Sequence, residues 1–422
     1  MCGIAGFVND MPIDVKCPVL QRMTDMIAHR GPDSEGHYID EHAALGHRRL
    51  SIIDLGGGQQ PIYNEDGSKV ITFNGEIYNY QTLREELIAA GHTFTTKSDT
   101  EVLLHGYEQW GVDLLQRVRG MFTFVIWDKN KQELFGARDH FGIKPFYYAK
   151  MNGTFMYASE IKSLLRHPDF VKELNAEALK PYMTFQYPAI GETFFKGVYK
   201  LPEGHYFTYR DGKMDIHRYY DEDFREGKQK LGELVNSIDQ TVCDSVKAHQ
   251  IADVEVGSFL SSGVDSSYVA AVARPQHTYS IGFGKGTYNE SQQAGELAEL
   301  LKLNNTAESL TDEEAFAAFP RIQWHLDEPD SNPSCVPLYF LSALAAKDVK
   351  VVLSGEGADE LFAGYIDYGV HTKFKPIKVV TRWLTHLPAG ARKAIARFCK
   401  GKTFPGAWHL YANLAPAEES FI

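Results

Sequence analysis

The first two hundred residues of the chain are dominated by short apolar runs that end in turn-forming residues. Runs at 70–73, 121–127 and 146–148 are bounded by Asn, Asp and Gly, which is typical of strands. Segments 80–90 and 100–110 instead have apolar residues at helical spacing, and a glycine follows the first of them. This mixture predicts a layered α+β domain.

From about residue 231 the pattern changes to a repeat of strand, loop and helix. Within this repeat, Thr311 and Glu314 have the spacing of a helix capping box. Strands and helices that alternate in this way predict a parallel sheet, and hence an α/β domain. The predicted strands are 254–260, 278–283 and 349–353, and the predicted helices are 267–273 and 290–303.

The apolar spacing lapses between residues 206 and 230, where Asp, Glu, Lys and Gly are frequent. A chain of 422 residues is also too long for one ordinary hydrophobic core. We therefore expect two domains, at residues 2–205 and 225–422.

Composition and charge narrow the class of protein. The chain is 44% apolar and 23% charged, as in folded globular proteins, and its formal charge of −12 disfavours binding to nucleic acid. It has no apolar run long enough to span a membrane and no signal-peptide pattern, so we expect a cytoplasmic protein. Its five cysteines are scattered without pairs at metal-ligand spacing, which argues against a disulfide framework and a zinc site.

Cys2 differs from the other cysteines by its position as a small residue directly after Met1. An aminopeptidase that removes Met1 would leave Cys2 with a free α-amino group. Such a group has a pKa of about 7.7 to 8.0, so it could act as the base for the thiol of the same residue. On this dipeptide alone, an accidental Met-Cys start is the better interpretation.

Four motifs further along the chain change that interpretation. They are His-Arg-Gly-Pro-Asp at 29–33, Gly-His-Arg-Arg-Leu-Ser-Ile-Ile-Asp at 46–54, Phe-Asn-Gly-Glu-Ile-Tyr-Asn at 73–79 and Ser-Asp-Thr-Glu at 98–101. With Cys2, they resemble the class II glutamine amidotransferases, which use an N-terminal nucleophile. The resemblance covers roughly residues 2–200 and is strongest to the glutaminase domain of asparagine synthetases, so it implies an N-terminal-nucleophile hydrolase fold.

Asn74 and Gly75 could form an oxyanion hole from a side-chain amide and a backbone N–H at the end of a strand. A hairpin turn is the alternative for an Asn-Gly pair. The resemblance implies that Arg49 binds the α-carboxylate of glutamine, for which a guanidinium fork is suited, and that Glu76 and Asp99 bind its ammonium. It also implies that the same pocket is lined by backbone groups of Leu50, Ser51, Ile52 and Ile53.

Other charged motif residues have simpler interpretations. We expect Arg30 with Asp33, and Arg138 with Asp139, to form structural ion pairs or turns rather than to take part in catalysis. The acidic pair at 327–328 could be structural or could contact a metal ion or pyrophosphate.

A Ser- and Gly-containing loop follows the predicted strand 254–260, and a helix is predicted directly after it. Backbone N–H groups at such a turn can bind an anion, but the loop lacks the Lys of a Walker A motif. The loop resembles the pyrophosphate loop of the ATP pyrophosphatases, which split ATP into AMP and pyrophosphate. Ser262 stands where that family usually has Gly, and we regard this as a tolerated variant.

A second segment, 351–365, resembles the acidic loop of asparagine synthetases. The resemblance implies Asp265 and Asp359 as ligands of Mg²⁺, which prefers hard oxygen donors, and Glu356 as a proton-handling group. An acidic, glycine-rich surface loop is the alternative for this segment taken alone. The residues that we expect to contact ATP are Leu260, Ser261, Ser262, Gly263, Val264, Asp265, Ser266, Ile281, Ser354 and Gly355.

Together the two resemblances imply glutamine-dependent asparagine synthesis by a carbon–nitrogen ligase. Glutamine is hydrolysed at Cys2, and the ammonia passes to an aspartyl-adenylate made from aspartate and ATP, which gives asparagine, glutamate, AMP and pyrophosphate. The alternatives are a chain that acts only as a glutaminase, a related class II amidotransferase with another acceptor, and a non-enzymatic remnant. We expect no nucleic-acid or membrane partner, and the oligomeric state stays open, with a homodimer as one candidate.

The family pattern after Tyr365 includes an Asp-Arg segment, an Arg-Xaa-Pro-Phe-like segment and a later lysine. We find none of these through Ile422. We therefore expect the second domain to be incomplete at its C-terminus and the chain to make little asparagine unaided.

Overall fold

A computed structural model describes residues 1–187, 190–223, 225, 227–283, 290–330, 332–365, 384 and 386–399. The chain divides into two compact units, Met1–Ser354 and Gly355–Ile422. The first unit contains both predicted architectures, a layered α+β part followed by a parallel sheet with helices.

Two antiparallel sheets form the N-terminal part of the first unit. Their strands are β1 (Gly3–Val8), β2 (Ser34–Ile39), β3 (Ala43–Arg49), β4 (Ile62–Tyr63), β5 (Lys69–Ile77), β6 (Gly120–Asp128), β7 (Glu133–Arg138), β8 (Tyr147–Met151), β9 (Thr154–Ala158), β10 (Val198–Lys200), β11 (His205–Arg210) and β12 (Lys213–Arg218). The first sheet has the order β10-β8-β9-β1-β3-β2 and the second has the order β12-β11-β7-β6-β5-β4. Strand β1 therefore lies inside its sheet, between β3 and β9.

Helices cover the outer faces of these sheets. They are α1 (Ile13–Asp25), α2 (Tyr80–Ala89), α3 (Asp99–Trp110) and α4 (Ile161–Leu164). A further helix, α5 (Leu179–Phe185), packs beside the 3₁₀ helix Ala176–Ala178, and two more 3₁₀ helices lie at Ala28–Arg30 and Gly111–Gln116. Helices α1 and α4 pack on the first sheet, whereas α3 packs on β5 of the second.

Side-chain alternation along β5 and β6 explains the layers. Val70 and Trp127 point between the two sheets and pack with Phe155 of the first sheet. Their neighbours Ile71 and Ile126 point to the opposite face and pack with residues of α2 and α3. Because successive side chains of a strand point to opposite faces, each strand contributes to two cores. The result is a four-layered αββα arrangement, which confirms the predicted α+β class.

Most of the predicted elements in this part are confirmed. The runs at 70–73 and 121–127 lie inside β5 and β6, and the helices predicted at 80–90 and 100–110 correspond to α2 and α3. Helix α3 begins one residue earlier than predicted because Ser98 caps it, with its side chain accepting a hydrogen bond from Thr100 N at 3.2 Å.

A parallel sheet follows, as predicted, and it has one strand, β15, more than the three that were predicted. Its strands are β13 (Val256–Phe259), β14 (His277–Phe283), β15 (Asn304–Leu310) and β16 (Val351–Leu353), in the order β15-β14-β13-β16. The helices of this part are α6 (Leu231–His249), α7 (Val264–Ala273), α8 (Glu290–Leu301), α9 (Asp312–Leu326) and α10 (Cys335–Ala345). The predicted capping box is also confirmed, because Thr311 N donates to Glu314 and Glu314 N donates to the Thr311 hydroxyl.

The hairpin β11–β12 extends the second antiparallel sheet to Arg218, past residue 205, and α6 begins at Leu231. The exact limits of the two domains stay a prediction.

The second unit contains two described helices, α11 (Ala358–Phe362) and α12 (Ala389–Cys399). Gly357 precedes α11 with a φ of +91°, a conformation that glycine adopts without strain. The segments expected after Tyr365 fall largely outside the described residues. Within those described ranges, no helix is both long and apolar enough to cross a membrane.

Candidate active sites

Cys2 lies at the start of β1, immediately before the first residue of a strand in the middle of its sheet. Its carbonyl oxygen accepts a hydrogen bond from Arg30 Nε at 2.9 Å. Its Sγ lies 3.4 Å from the backbone nitrogen of Leu50, which donates to it. Burial raises the pKa of the Cys2 thiol, so a nearby base is needed to form the thiolate.

A pocket beside Cys2 brings together nearly all of the predicted glutaminase residues. Those in its lining are Cys2, Arg49, Leu50, Ile52, Ile53, Asn74, Gly75, Glu76 and Asp99. Ser51 is the exception among the predicted residues, and its backbone N–H donates to Asp33 at 2.8 Å. Met1 also lines the pocket, and burial lowers the pKa of its amino group to about 5.

Asn74 is 1% exposed, and neither atom of its side-chain amide has a hydrogen-bond partner among the described residues. Leaving such a group unsatisfied costs about 1–3 kcal/mol, so a buried free amide in a pocket is suited to a polar ligand. Asn74 lies within β5, opposite Thr123 of β6. The hairpin-turn alternative for Asn74 and Gly75 is therefore wrong.

The packing of β5 against β6 explains why residue 75 is a glycine. It lies opposite Phe122 of β6, and a Cβ at this position would clash with the carbonyl oxygen of Met121. The glycine thus permits the close approach of the two strands that carry this wall of the pocket.

Arg49 ends β3 and is 6% exposed. Its Nη2 donates to the carbonyl oxygens of Ile53 at 3.0 Å and Asp54 at 2.6 Å. These bonds hold the loop that follows β3 against the guanidinium group. Arg49 therefore shapes one wall of the pocket as well as placing a positive charge in it.

Two buried carboxyl groups, those of Glu76 and Asp99, line the same pocket. Burial raises the pKa of Asp99 to about 6, although Ile77 N donates to its side chain at 3.0 Å. Burial, together with the charge of Asp99, raises the pKa of Glu76 to about 7, while Lys144 opposes the shift. A pair of desolvated carboxyl groups is suited to a cationic ligand, which would compensate their burial.

Lys144 and Gln60 also line the pocket, and sequence reasoning missed both. Lys144 is 4% exposed, and burial lowers its pKa. Gln60 accepts from Phe73 N at 2.6 Å and donates back to Phe73 O at 3.1 Å, which fixes it beside β5. The only sequence signal for Lys144 is a charged residue between apolar neighbours, close to the motif at 138–139.

Arg138 and Asp139 have the structural role that was predicted for them. Arg138 donates to the carbonyl oxygens of Lys144 and Leu201 at 2.8 and 2.6 Å. Asp139 accepts from Lys144 N at 3.0 Å. The two residues hold the turn that carries Lys144 into the pocket.

Arg30 and Asp33 have structural roles, as predicted, but each forms its ion pair with another residue and not with the other. Arg30 pairs with Glu160 at 3.0 Å while its Nε holds the Cys2 carbonyl oxygen. Asp33 pairs with Lys350 at 2.6 Å, which links the α+β part to the segment just before β16.

The acidic pair 327–328 is a second link between the α+β part and the parallel-sheet part. Asp327 accepts from Ile161 N at 2.6 Å and pairs with Lys162 at 2.9 Å. Glu328 accepts from Phe194 N at 3.0 Å. These contacts favour the structural interpretation of the pair.

The predicted pyrophosphate loop connects β13 to α7 but is shorter than expected, because α7 begins at Val264 and not at residue 267. Residues 260–263 form this connection, which we call the serine loop. Ser266 accepts from Ser261 N at 3.1 Å, and the Ser261 hydroxyl accepts from Gly263 N at 3.0 Å. Ser262 is exposed and does not have a positive φ, so its Cβ causes no backbone strain. Asp265 lies in the first turn of α7.

The ends of β13 and β16 lie at the same edge of the parallel sheet, because Ser258 pairs with Leu353. Ser354, directly after β16, therefore lies at the edge from which the serine loop leaves. Leu260 is 3% exposed and packs with Ala270 and Ala294, so it belongs to the core of this part. Ile281, on β14, is partly buried.

Gly355, Glu356 and Asp359 belong to the second unit. Asp359 lies in the first turn of α11, and its carbonyl oxygen accepts from Gly364 N at 2.9 Å. A side chain at position 364 would clash with the Asp359 carboxylate, so the glycine leaves room for it.

Comparison with known proteins assigns the α+β part and the segment that follows it to two protein families. Residues 1–220 match the family model of the glutamine amidotransferase domain, and residues 237–416 match that of asparagine synthase. Glutamine-hydrolysing asparagine synthetase 1 of Bacillus subtilis (strain 168) is 43% identical over 403 residues, which are 94% of this chain and 62% of the relative. Glutamine-hydrolysing asparagine synthetase 2 of the same organism is 36% identical over 393 residues, 86% of this chain and 52% of the relative.

A further relative, from Methanocaldococcus jannaschii, carries the name glutamine-hydrolysing asparagine synthetase 2 as a provisional assignment. It is 34% identical over 397 residues, which are 87% of this chain and 76% of the relative. The chain spans 62% of the length of the first Bacillus relative. Its four-layered part has the N-terminal-nucleophile fold of glutamine amidotransferases, and the chain as a whole belongs to the family of glutamine-hydrolysing asparagine synthetases.

Proposed function

We propose that this chain hydrolyses glutamine at Cys2 and supplies the ammonia to an ATP-dependent amidation of aspartate. The observation that carries the first half is the buried side-chain amide of Asn74, which has no hydrogen-bond partner within the described part of the chain and lies in the same pocket as the Cys2 thiol. When Sγ attacks the side-chain amide carbon of glutamine, the carbonyl oxygen becomes an oxyanion. Donors that are already fixed and desolvated stabilise such a charge without reorganisation.

The proton of the thiol needs an acceptor. After removal of Met1, the α-amino group of Cys2 is the base of the reaction, and it returns the proton to the departing nitrogen, which leaves as ammonia. The remaining thioester is hydrolysed by water to glutamate and the free thiol.

The charges of the pocket match the two charged ends of the amino acid. The guanidinium of Arg49 is the proposed contact for the glutamine α-carboxylate, and Glu76 and Asp99 are the proposed contacts for its ammonium. Both kinds of charge lie at the wall of one small pocket, so glutamine would be held with its side chain toward Cys2.

For the second half, we propose that ATP binds where β13 and β16 end. The support is the serine loop before α7, whose backbone N–H groups lie at the N-terminus of a ten-residue helix. Leu260 and Ile281 are the proposed contacts for the rest of the nucleotide. Ser354, at the same sheet edge, and Gly355 complete the proposed set of nucleotide contacts.

Asp265 and Asp359 offer carboxylate oxygens, which are the donors that Mg²⁺ prefers, and we propose them as its ligands. When bound, Mg²⁺ would neutralise part of the triphosphate charge. Glu356 is the proposed proton acceptor when ammonia attacks the aspartyl-adenylate, a step that releases asparagine and AMP.

We also propose that the enzyme acts in the cytoplasm on small molecules and does not bind nucleic acid. Its net charge of −12 and its scattered cysteines support this. A homodimer remains the candidate oligomeric state. A glutaminase without synthetase activity and an amidotransferase with another acceptor are the two alternative functions.

The first experiment measures glutamate release from glutamine by the purified chain. The chain should be active, the Cys2→Ala variant should be inactive, and Cys17→Ala, which alters an exposed free cysteine, should keep full activity. Intact-mass spectrometry of the active protein should show that Met1 has been removed. Glutaminase activity in verified Cys2→Ala protein, or an active chain that retains Met1, would contradict the assignment.

A second experiment separates the two alternatives by following AMP, pyrophosphate and asparagine with aspartate as the acceptor. Asp265→Ala and Asp359→Ala should lose Mg²⁺-dependent ATP binding and keep glutamine hydrolysis, because neither residue lines the Cys2 pocket. AMP formation with an acceptor other than aspartate would favour a different amidotransferase.

A further inference from the structure

Two histidines and two glutamates meet on the outer side of the second antiparallel sheet. They are Glu65, in the turn between β4 and β5, His92, just after α2, and His105 and Glu108, on α3. One ligand atom of each lies within 4.8 Å of the others. None of the four lines the Cys2 pocket, and the proposed reaction does not use them.

The distances within the cluster match the coordination shell of a small metal ion. Nδ1 of His105 lies 3.3 Å from Glu65 Oε2 and 3.2 Å from Glu108 Oε2. Nδ1 of His92 lies 3.1 Å from Glu65 Oε1. Zinc binds imidazole nitrogen and carboxylate oxygen at about 2.0–2.2 Å, so the ligand atoms of a tetrahedral site lie about 3.3 Å apart.

The opposite nitrogen of each histidine ring also has an oxygen partner. Nε2 of His105 lies 3.4 Å from Glu101 Oε1, and Nε2 of His92 lies 3.3 Å from Gln109 Oε1. Such a partner fixes the ring orientation and leaves the other nitrogen to bind a metal, as in the carboxylate–histidine–zinc arrangement. Glu101 is itself held, because Thr95 N and Thr96 N each donate to it at 2.7 Å.

The supporting hydrogen bonds extend to the carboxylate ligands. Asn64 donates to Glu108 Oε1 at 2.7 Å, which leaves Oε2 facing His105. Thr93 N donates to Glu65 at 3.1 Å. The cluster is also accessible from solvent, since the side chain of Glu65 is 36% exposed whereas that of His105 is 1% exposed.

We propose that Glu65, His92, His105 and Glu108 bind one divalent transition-metal ion, with Zn²⁺ as the best match. Two carboxylates and two neutral imidazoles balance the charge of such an ion and suit its mixed preference for nitrogen and oxygen donors. The scattered cysteines argued against a zinc site, but this set contains none. The ion would connect the β4–β5 turn and the end of α2 to helix α3, whose first residue is Asp99 of the glutamine pocket.

The test uses the purified chain after removal of metal ions by a chelator. Titration with Co²⁺ should give the visible absorption of a tetrahedral cobalt site that saturates at one ion per chain, and Zn²⁺ should displace it. Zn²⁺ should also raise the Tm of the metal-free protein, because a ligand that binds the folded state stabilises it.

Variants identify the ligands. His92→Gln and Glu108→Gln should each abolish the cobalt absorption and the Tm increase, and Gln109→Ala should weaken Zn²⁺ binding about tenfold through its effect on His92. His42→Gln, which alters a histidine outside the cluster, and Cys2→Ala should bind as the unmodified chain does. Absence of saturable binding, equal binding by folded His92→Gln and Glu108→Gln proteins, or loss of binding in Cys2→Ala would overturn the proposal.

Discussion

The ammonium nitrogen of Lys162 lies 2.9 Å from Oδ1 of Asp327, and both side chains are almost completely buried. Lys162 lies in α4 of the α+β part, whereas Asp327 directly follows α9 in the parallel-sheet part. Lys162 also pairs with Glu160 at 2.5 Å, and Glu160 in turn pairs with Arg30, which holds the Cys2 carbonyl oxygen. A continuous set of buried charges thus connects the nucleophile to α9.

We predict that Asp327→Ala lowers the free energy of unfolding by about 3 kcal/mol, because it leaves the Lys162 charge buried with one carboxylate instead of two. Burial raises the pKa of Asp327 even beside Lys162, so desolvation opposes much of the attraction within the pair. Removing one partner should therefore cost more than removing both. Urea denaturation of Asp327→Ala, Lys162→Met and the double variant measures this.

Glu173→Ala is the control for that experiment. It removes the Lys196 ion pair, in which both side chains are more than half exposed, so the denaturation midpoint should hardly change. Equal shifts for Asp327→Ala and Glu173→Ala, or effects that simply add in the double variant, would show that the buried pair is not coupled.

Asn74→Ala should reduce the kcat of glutamine hydrolysis by about 100- to 1000-fold with little change in KM, because an oxyanion donor acts mainly in the transition state. Steady-state glutamate release gives both constants. Asn130→Ala, which alters an exposed asparagine in a turn, is the matched control and should leave both unchanged. A large rise in KM at unchanged kcat would assign Asn74 to ground-state binding instead.

The sequence predicted individual strands and helices correctly where the element has a buried face. Strands β5 and β6 and helices α2 and α3 combine clear apolar spacing with local stop signals, and all four are present. Strand β15 was not predicted because it is a largely exposed edge strand with the sequence Asn-Asn-Thr-Ala-Glu-Ser-Leu, which has no apolar alternation. Its pairing with β14 depends on a neighbour that no local pattern encodes.

The candidate site was predictable only in part, for a related reason. Cys2, Arg49, Asn74, Glu76 and Asp99 fall in motifs that the family resemblance identifies. Lys144 and Gln60 were missed because their position in the pocket depends on a turn and on a side-chain bond to β5. The links made by Asp327 could not be predicted, since its partner Ile161 N is distant along the chain.

Glutamine binding should weaken as the pH falls, and the Cys2→Ala variant allows this to be measured without turnover. The pKa of Glu76 is raised to about 7, so the carboxylate that would bind the glutamine ammonium is ionised above that pH and neutral below it. We expect the Kd for glutamine to rise about tenfold between pH 8 and pH 6, as protonation competes with the ligand.

The same titration identifies the group responsible. Adding Glu76→Gln to Cys2→Ala should weaken glutamine binding at pH 8 and remove the change in Kd near pH 7. A smaller change in Kd near pH 6 should remain, because the pKa of Asp99 is raised to about 6. An unchanged pH profile in the double variant would exclude Glu76 from ammonium binding.

The serine loop before α7 offers a paired test of the proposed ATP site. Ser266 joins both ends of the loop, because it accepts from Ser261 N and lies 2.8 Å from the Ser261 hydroxyl, so Ser266→Ala should loosen the loop. Two lost hydrogen bonds of about 1 kcal/mol each are partly compensated by water, so we expect the Kd for ATP to rise about tenfold.

Ser262→Gly is the matched variant in the same loop, and it introduces the residue that is usual at that position in the family. Ser262 is exposed and its backbone does not have a positive φ, so ATP affinity should change by about threefold or less. Calorimetric titration with Mg²⁺-ATP, with glutaminase activity as the check on folding, compares the two variants. A larger effect from Ser262→Gly than from Ser266→Ala would mean that the Ser262 hydroxyl, rather than the internal bonds of the loop, determines nucleotide affinity.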